Sequence, residues 1–123
     1  MRRCLYLAGM LLFSAAAAAD DSIRIELNTL ENAEGRCRAS FVIENKSDGP
    51  IETLRLDLVA FSRSGLIQRR LVADMGPLRR AKTVVKTFTL EGECDAIGSV
   101  LINDVTACAP ADAGTCLDRL ERA

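Results

Sequence analysis

The stretch CRASFVIENKSDGPIETLRLDLVAF, Cys37 to Phe61, decides the fold class. In its first part Cys37, Ala39, Phe41 and Ile43 alternate with Arg38, Ser40 and Glu44. A period of two puts successive side chains on opposite faces, the signature of a strand with one buried side. The cluster NKSDGP, Asn45 to Pro50, is turn chemistry, with asparagine, aspartate, glycine and proline adjacent. Beyond it the alternation resumes: Leu54, Leu56, Leu58 and Ala60 face one way, and Arg55, Asp57, Val59 and Phe61 the other. Two half-buried strands joined by a polar turn leave little room for a helical reading.

The same pattern extends outward. Upstream, Ile23, Ile25 and Leu27 alternate with Arg24, Glu26 and Asn28. Downstream, SRSG turns the chain, a fourth strand runs from Leu66 to Ala73, and GPLRRAK forms a longer connection. TVVKTFTL, Thr83 to Leu90, gives a fifth strand, and Gly98 to Ala107 a sixth. Short strands spaced by turn signals, with no long helix between them, predict an all-β antiparallel sandwich of six or seven strands. Only the end departs from this. In GTCLDRLERA, Thr115 with Asp118 three residues later suggests an N-cap, and Leu117 and Leu120 share a face, so a short C-terminal helical turn is expected.

The first residues read as an export signal: Arg2 and Arg3, an apolar core from Leu5 to Phe13, and small residues from Ala15 to Ala19. A cut after Ala19 leaves residues 20–123 as one domain in the periplasm or outside the cell. No segment of that remainder has the roughly 20 apolar residues of a membrane span. The cut removes two of 16 basic residues and none of 17 acidic ones, a balance of about −3 that gives no reason to expect nucleic acid as a partner. It also removes Cys4 from five cysteines, leaving an even set, Cys37, Cys94, Cys108 and Cys116. Even parity in an exported chain favours disulfides.

Geometry selects among the pairings. An extended strand from Gly98 to Ala107 separates Cys94 from Cys108 by about 30 Å, at roughly 3.3 Å per residue. A disulfide needs Cα atoms within about 7 Å. With full chain reversals, the second and sixth strands start at the same end, so Cys37 is expected to pair with Cys94 and Cys108 with Cys116. The spacing is wrong for zinc or for a redox Cys-x-x-Cys, and the carboxylates around Cys94 in EGECD disfavour a thiolate.

FVIENKSDGPIETLRLDLVAFSRSGLI and MGPLRRAKTVVKTFTL resemble the immunoglobulin-like sandwich modules of bacterial exported proteins, with an asparagine-ended strand, a strand ending in phenylalanine and a glycine turn. The chain as a whole is similar to short alphaproteobacterial secreted proteins that end in a CDAIG…VLIND…AC block. The resemblance implies an immunoglobulin-like sandwich and attaches no catalytic residue to it.

Without histidine, every histidine-dependent triad or base is excluded. Glu91, Glu93 and Asp95 lie close together but lack the spacing of a calcium loop, so no catalytic residue, metal or cofactor is expected. The functional signal is charge asymmetry. Arg69, Arg70, Arg79, Arg80, Lys82 and Lys86 stand against the single Asp74 between Arg69 and Lys86. If the two strands concerned are neighbours, these cations form one patch, which either guards a sheet edge against aggregation or docks onto an acidic protein face or lipid phosphates. The expected function is thus a non-enzymatic exported binding module of the cell envelope. The alternative is a small inhibitor of an extracytoplasmic enzyme, presenting the loop from Glu91 to Ile97.

Overall fold

The computed structural model describes residues 21–123, so the signal segment, its cleavage site and Cys4 lie outside the described residues. Among these residues seven strands make two sheets: β1 (Ile23–Ala33), β2 (Arg36–Asn45), β3 (Thr53–Phe61), β4 (Ile67–Asp74), β5 (Thr83–Glu91), β6 (Ser99–Ala109) and β7 (Leu120–Arg122). One sheet has the order β5-β2-β1-β7 and the other β4-β3-β6. Pairings are antiparallel except β1 with β7, which run parallel. With β1, β2 and β5 in one sheet and β3 and β6 in the other, the strands divide as in immunoglobulin sandwiches.

The alternation that predicted the strands is what the core uses. Cys37, Ala39, Phe41 and Ile43 on β2 and Leu54, Leu56 and Leu58 on β3 are buried, and they meet Ile23 and Ile25 between the sheets. The ring of Phe41 meets that of Phe88 edge to face, with centroids 5.9 Å apart. The exception is Val59, buried although it shares the outward parity. As the central strand of its sheet, β3 has its outer face covered by side chains from both neighbours; Val59 lies opposite Arg70 and Leu101.

β1 runs further than its clean alternation suggested. A register shift between Leu27 and Thr29 breaks the pattern, after which pairing with β2 continues to Ala33 opposite Arg36. The two residues between, Glu34 and Gly35, both have positive φ (53° and 76°), the two-residue hairpin turn that matches strand twist.

The C-terminal segment requires a correction. Helix α1 (Ala113–Arg119) is capped not by Thr115 but by Asp112, whose side chain accepts from the Thr115 N–H at 2.8 Å and from the Thr115 hydroxyl at 3.0 Å. Asp112 has extended backbone, as a cap must, whereas Thr115 lies inside the helix. Cys116 is the buried residue of α1, and the chain leaves the helix at Leu120 to form β7.

Two disulfides join Cys37 to Cys94 and Cys108 to Cys116, with Cα atoms 4.8 Å and 6.4 Å apart. The first lies where β2 begins and β5 has just ended, since Cys37 stands opposite Leu90. The second ties α1 to the far end of β6. On a chain-entropy account the first bond contributes about 4 kcal/mol and the second about 2.5 kcal/mol.

Candidate binding surface

The two strands that flank the six cations are not neighbours in a sheet. β4 and β5 are consecutive but belong to different sheets, so the condition for a continuous basic face is not met. Arg70 lies on the outer face of the three-stranded sheet, where its guanidinium donates to Asp57 at 2.7 Å. Asn103 donates to the same carboxylate oxygen at 3.0 Å. Asp57 is held below the ordinary aspartate value of 3.8, first by the Arg70 hydrogen bond and then by that of Asn103. Arg69 has the opposite parity, shared with the half-buried Leu71 and the buried Ala73, and points towards the space between the sheets. An inward arginine is tolerable because β4 is an edge strand: the guanidinium reaches the open side and pairs with Glu91 of β5 at 3.0 Å.

The other four cations have a different setting. Arg79, Arg80 and Lys82 sit on the segment from β4 to β5, all exposed, and Lys86 lies half-buried on β5. None of the four has an ion-pair partner among the described residues. The segment that carries the first three is nevertheless fixed in place. Met75 and Leu78 are fully buried, and Leu78 exchanges both backbone hydrogen bonds with Ile51, at 2.8 and 2.7 Å. Gly76 lies so close to β3 that a Cβ there would come within 3.0 Å of the Leu54 nitrogen. The buried Asn45 holds the second half: its side-chain amide donates to the Arg79 carbonyl at 3.2 Å, and its backbone N–H to the Lys82 carbonyl at 3.0 Å. Between these anchors Ala81 adopts a positive φ of 53°, a conformation an alanine holds only where its surroundings impose it. Arg79, Arg80 and Lys82 thus project from a braced segment.

The loop from Glu91 to Ile97 is also pinned. Its 3-10 turn, Cys94–Ala96, is tied by the disulfide to Cys37, by the Cys94 N–H to the Asn32 side chain at 2.8 Å, and by Arg63 to the Asp95 carbonyl at 2.8 Å. Asn32 belongs to the part of β1 that alternation missed. The Glu34–Gly35 dipeptide was the signal that would have revealed it.

Neither of two gaps in the surface resembles a small-molecule chamber. The apolar gap between the sheets, lined by Phe41, Leu71, Phe88, Leu90 and Val100 with Arg69 at its side, holds about 10 Å³, room for one water at most. A wide groove of about 370 Å³ beside the Cys108–Cys116 bond is open to solvent. Among the described residues no three histidine, cysteine, aspartate or glutamate side chains come together as a metal would need, and no helix is long and apolar enough to cross a membrane. Comparison with known proteins finds no matching family model, no matching curated protein and no matching solved structure.

Proposed function

We propose that the protein is a non-enzymatic accessory domain, exported to the periplasm or beyond the cell, that binds an acidic surface of a protein partner in the envelope through Arg79, Arg80, Lys82 and Lys86. The observation that carries this reading is the braced segment. Three exposed cations without neutralising partners among the described residues stand on backbone fixed by Asn45, Leu78 and Met75. Cations that merely solvate a surface need no such support, whereas a docking site gains from having its ordering cost met before the partner arrives. The reading of export rests on the signal-like first residues and on two disulfides, which persist in oxidising compartments. The resemblance to exported sandwich modules agrees with it.

Crosslinking capture from envelope extracts tests the proposal, comparing the native domain with Arg79→Glu/Arg80→Glu/Lys82→Glu. The expected result is a partner whose capture falls at least roughly tenfold in the still-folded variant and weakens with salt, as an interface between exposed charges must. Undiminished capture would reject the surface. The alternative, an inhibitor of an extracytoplasmic enzyme, draws support from the pinned loop around Cys94. It requires loop substitutions, not the charge reversal, to abolish binding.

A further inference from the structure

Four strands lie at sheet edges, and three are blunted. β7 has only three residues. β6 carries two register shifts, packs against α1, and has its Ile102 carbonyl taken by Arg122. β4 has a register shift near its start, and its two arginines are engaged by Asp57 and Glu91. β5 is the exception in its backbone, guarded by nothing but the charges of Lys82 and Lys86. It pairs with β2 in unbroken register over nine residues, contains no proline, and has no strand on its other side among the described residues. Lys82 extends that register, since its carbonyl accepts the Asn45 N–H.

Resting on the reading above, we propose that β5 is where the partner docks, and that the partner contributes an extended acidic segment that adds to the sheet as a further strand. Main-chain hydrogen bonds supply affinity in such additions, and alternate side chains supply selection. Lys82, Val84, Lys86 and Phe88 share the parity that faces the inter-sheet side. The two lysines therefore lie on one face, about 13 Å apart at roughly 3.3 Å per residue. A matching segment carries two carboxylates four residues apart with an apolar residue midway, opposite Val84, and polar or β-branched residues on its other face, opposite Thr83, Val85 and Thr87. A second copy of this chain is a poor occupant, because its own β5 would bring further lysines to the same edge.

The test is an NMR and amide-exchange titration of the folded domain with the synthetic peptide Val-Thr-Glu-Thr-Val-Thr-Glu. The comparison probes are its counterpart with lysine for glutamate, and two versions N-methylated along one or the other backbone edge. We expect the acidic peptide to slow exchange at solvent-facing β5 amides at least tenfold. The lysine peptide and one N-methylated version should lose this protection, and Lys82→Glu/Lys86→Glu should weaken it. Equal binding by both N-methylated peptides, with shifts confined to Arg79–Lys82, would overturn strand addition and leave the basic docking surface standing. Failure of every peptide to bind would also overturn strand addition; binding instead to phosphatidylglycerol vesicles would reject the acidic protein partner as well. If the double charge reversal unfolds the domain, the N-methylated pair still decides the matter.

Discussion

Asn45 is fully buried, and each polar group of its side chain is used. The side-chain N–H groups reach the carbonyls of Gly49 and Arg79 at 3.0 and 3.2 Å, and the side-chain oxygen accepts from the N–H and the hydroxyl of Ser47. One residue therefore closes the β2–β3 turn and holds the cationic segment. Asn45→Ala strands buried partners on both sides, and by the usual cost of unsatisfied polar groups it should destabilise the domain by about 2–4 kcal/mol. A lowered urea midpoint with unchanged slope is the measurement, and a shift worth less than about 1 kcal/mol would show that water substitutes for the amide.

The helix cap and the outer sheet face carry pH dependence. Asp112 is held below the ordinary aspartate value, first by the Thr115 backbone N–H and then by the Thr115 hydroxyl, while Asp57 is lowered chiefly by Arg70. A carboxylate lowered in the folded state contributes stability that is present above its unfolded pKa and is lost as pH falls through the folded value. The melting temperature should therefore hold above about pH 5 and fall below about pH 4. In Asp57→Asn/Asp112→Asn the plateau should be lower and the acid decline shallower. An unchanged acid profile in that variant would assign the loss to other carboxylates.

For the molecule as a whole, the Cys37–Cys94 bond is the longest covalent constraint, with a sequence separation of 57. It ties the start of β2 in one sheet to the loop that leads into β6 of the other. The aromatic residues of the described chain are only Phe41, Phe61 and Phe88, so the core draws on aliphatic side chains. Cys37→Ser/Cys94→Ser should cost about 4 kcal/mol, more than Cys108→Ser/Cys116→Ser, which opens a far shorter loop. Chemical denaturation of both variants checks the order, and the reverse order would mean that docking of α1, rather than closure of the sandwich, limits stability.

Read alone, the sequence determined the strands where one face is apolar and the other polar: Cys37 to Ile43, Leu54 to Ala60 and Ile23 to Leu27 each declare their buried side, because a strand's period is two. The even set of cysteines and the length of the sixth strand excluded a Cys94–Cys108 bond, and full chain reversals, which start the second and sixth strands at one end, selected Cys37–Cys94 and Cys108–Cys116 from the two pairings left. What lacked a period stayed illegible: β1 beyond its register shift, and β7, three residues that pair with β1 only after α1 has placed them there. The cap was misplaced for a similar reason, as Asp112 and Thr115 are both good caps and only the extended backbone at Asp112 decides between them. The cationic surface was half legible. Composition revealed six positive charges, but which of them remain unneutralised depends on Asp57 and Glu91, distant in sequence from the arginines they engage. The Arg70–Asp57 pair needs the register of the β3–β4 hairpin, and the Arg69–Glu91 pair exists only because the chain crosses from one sheet to the other between β4 and β5; both are properties of the folded molecule.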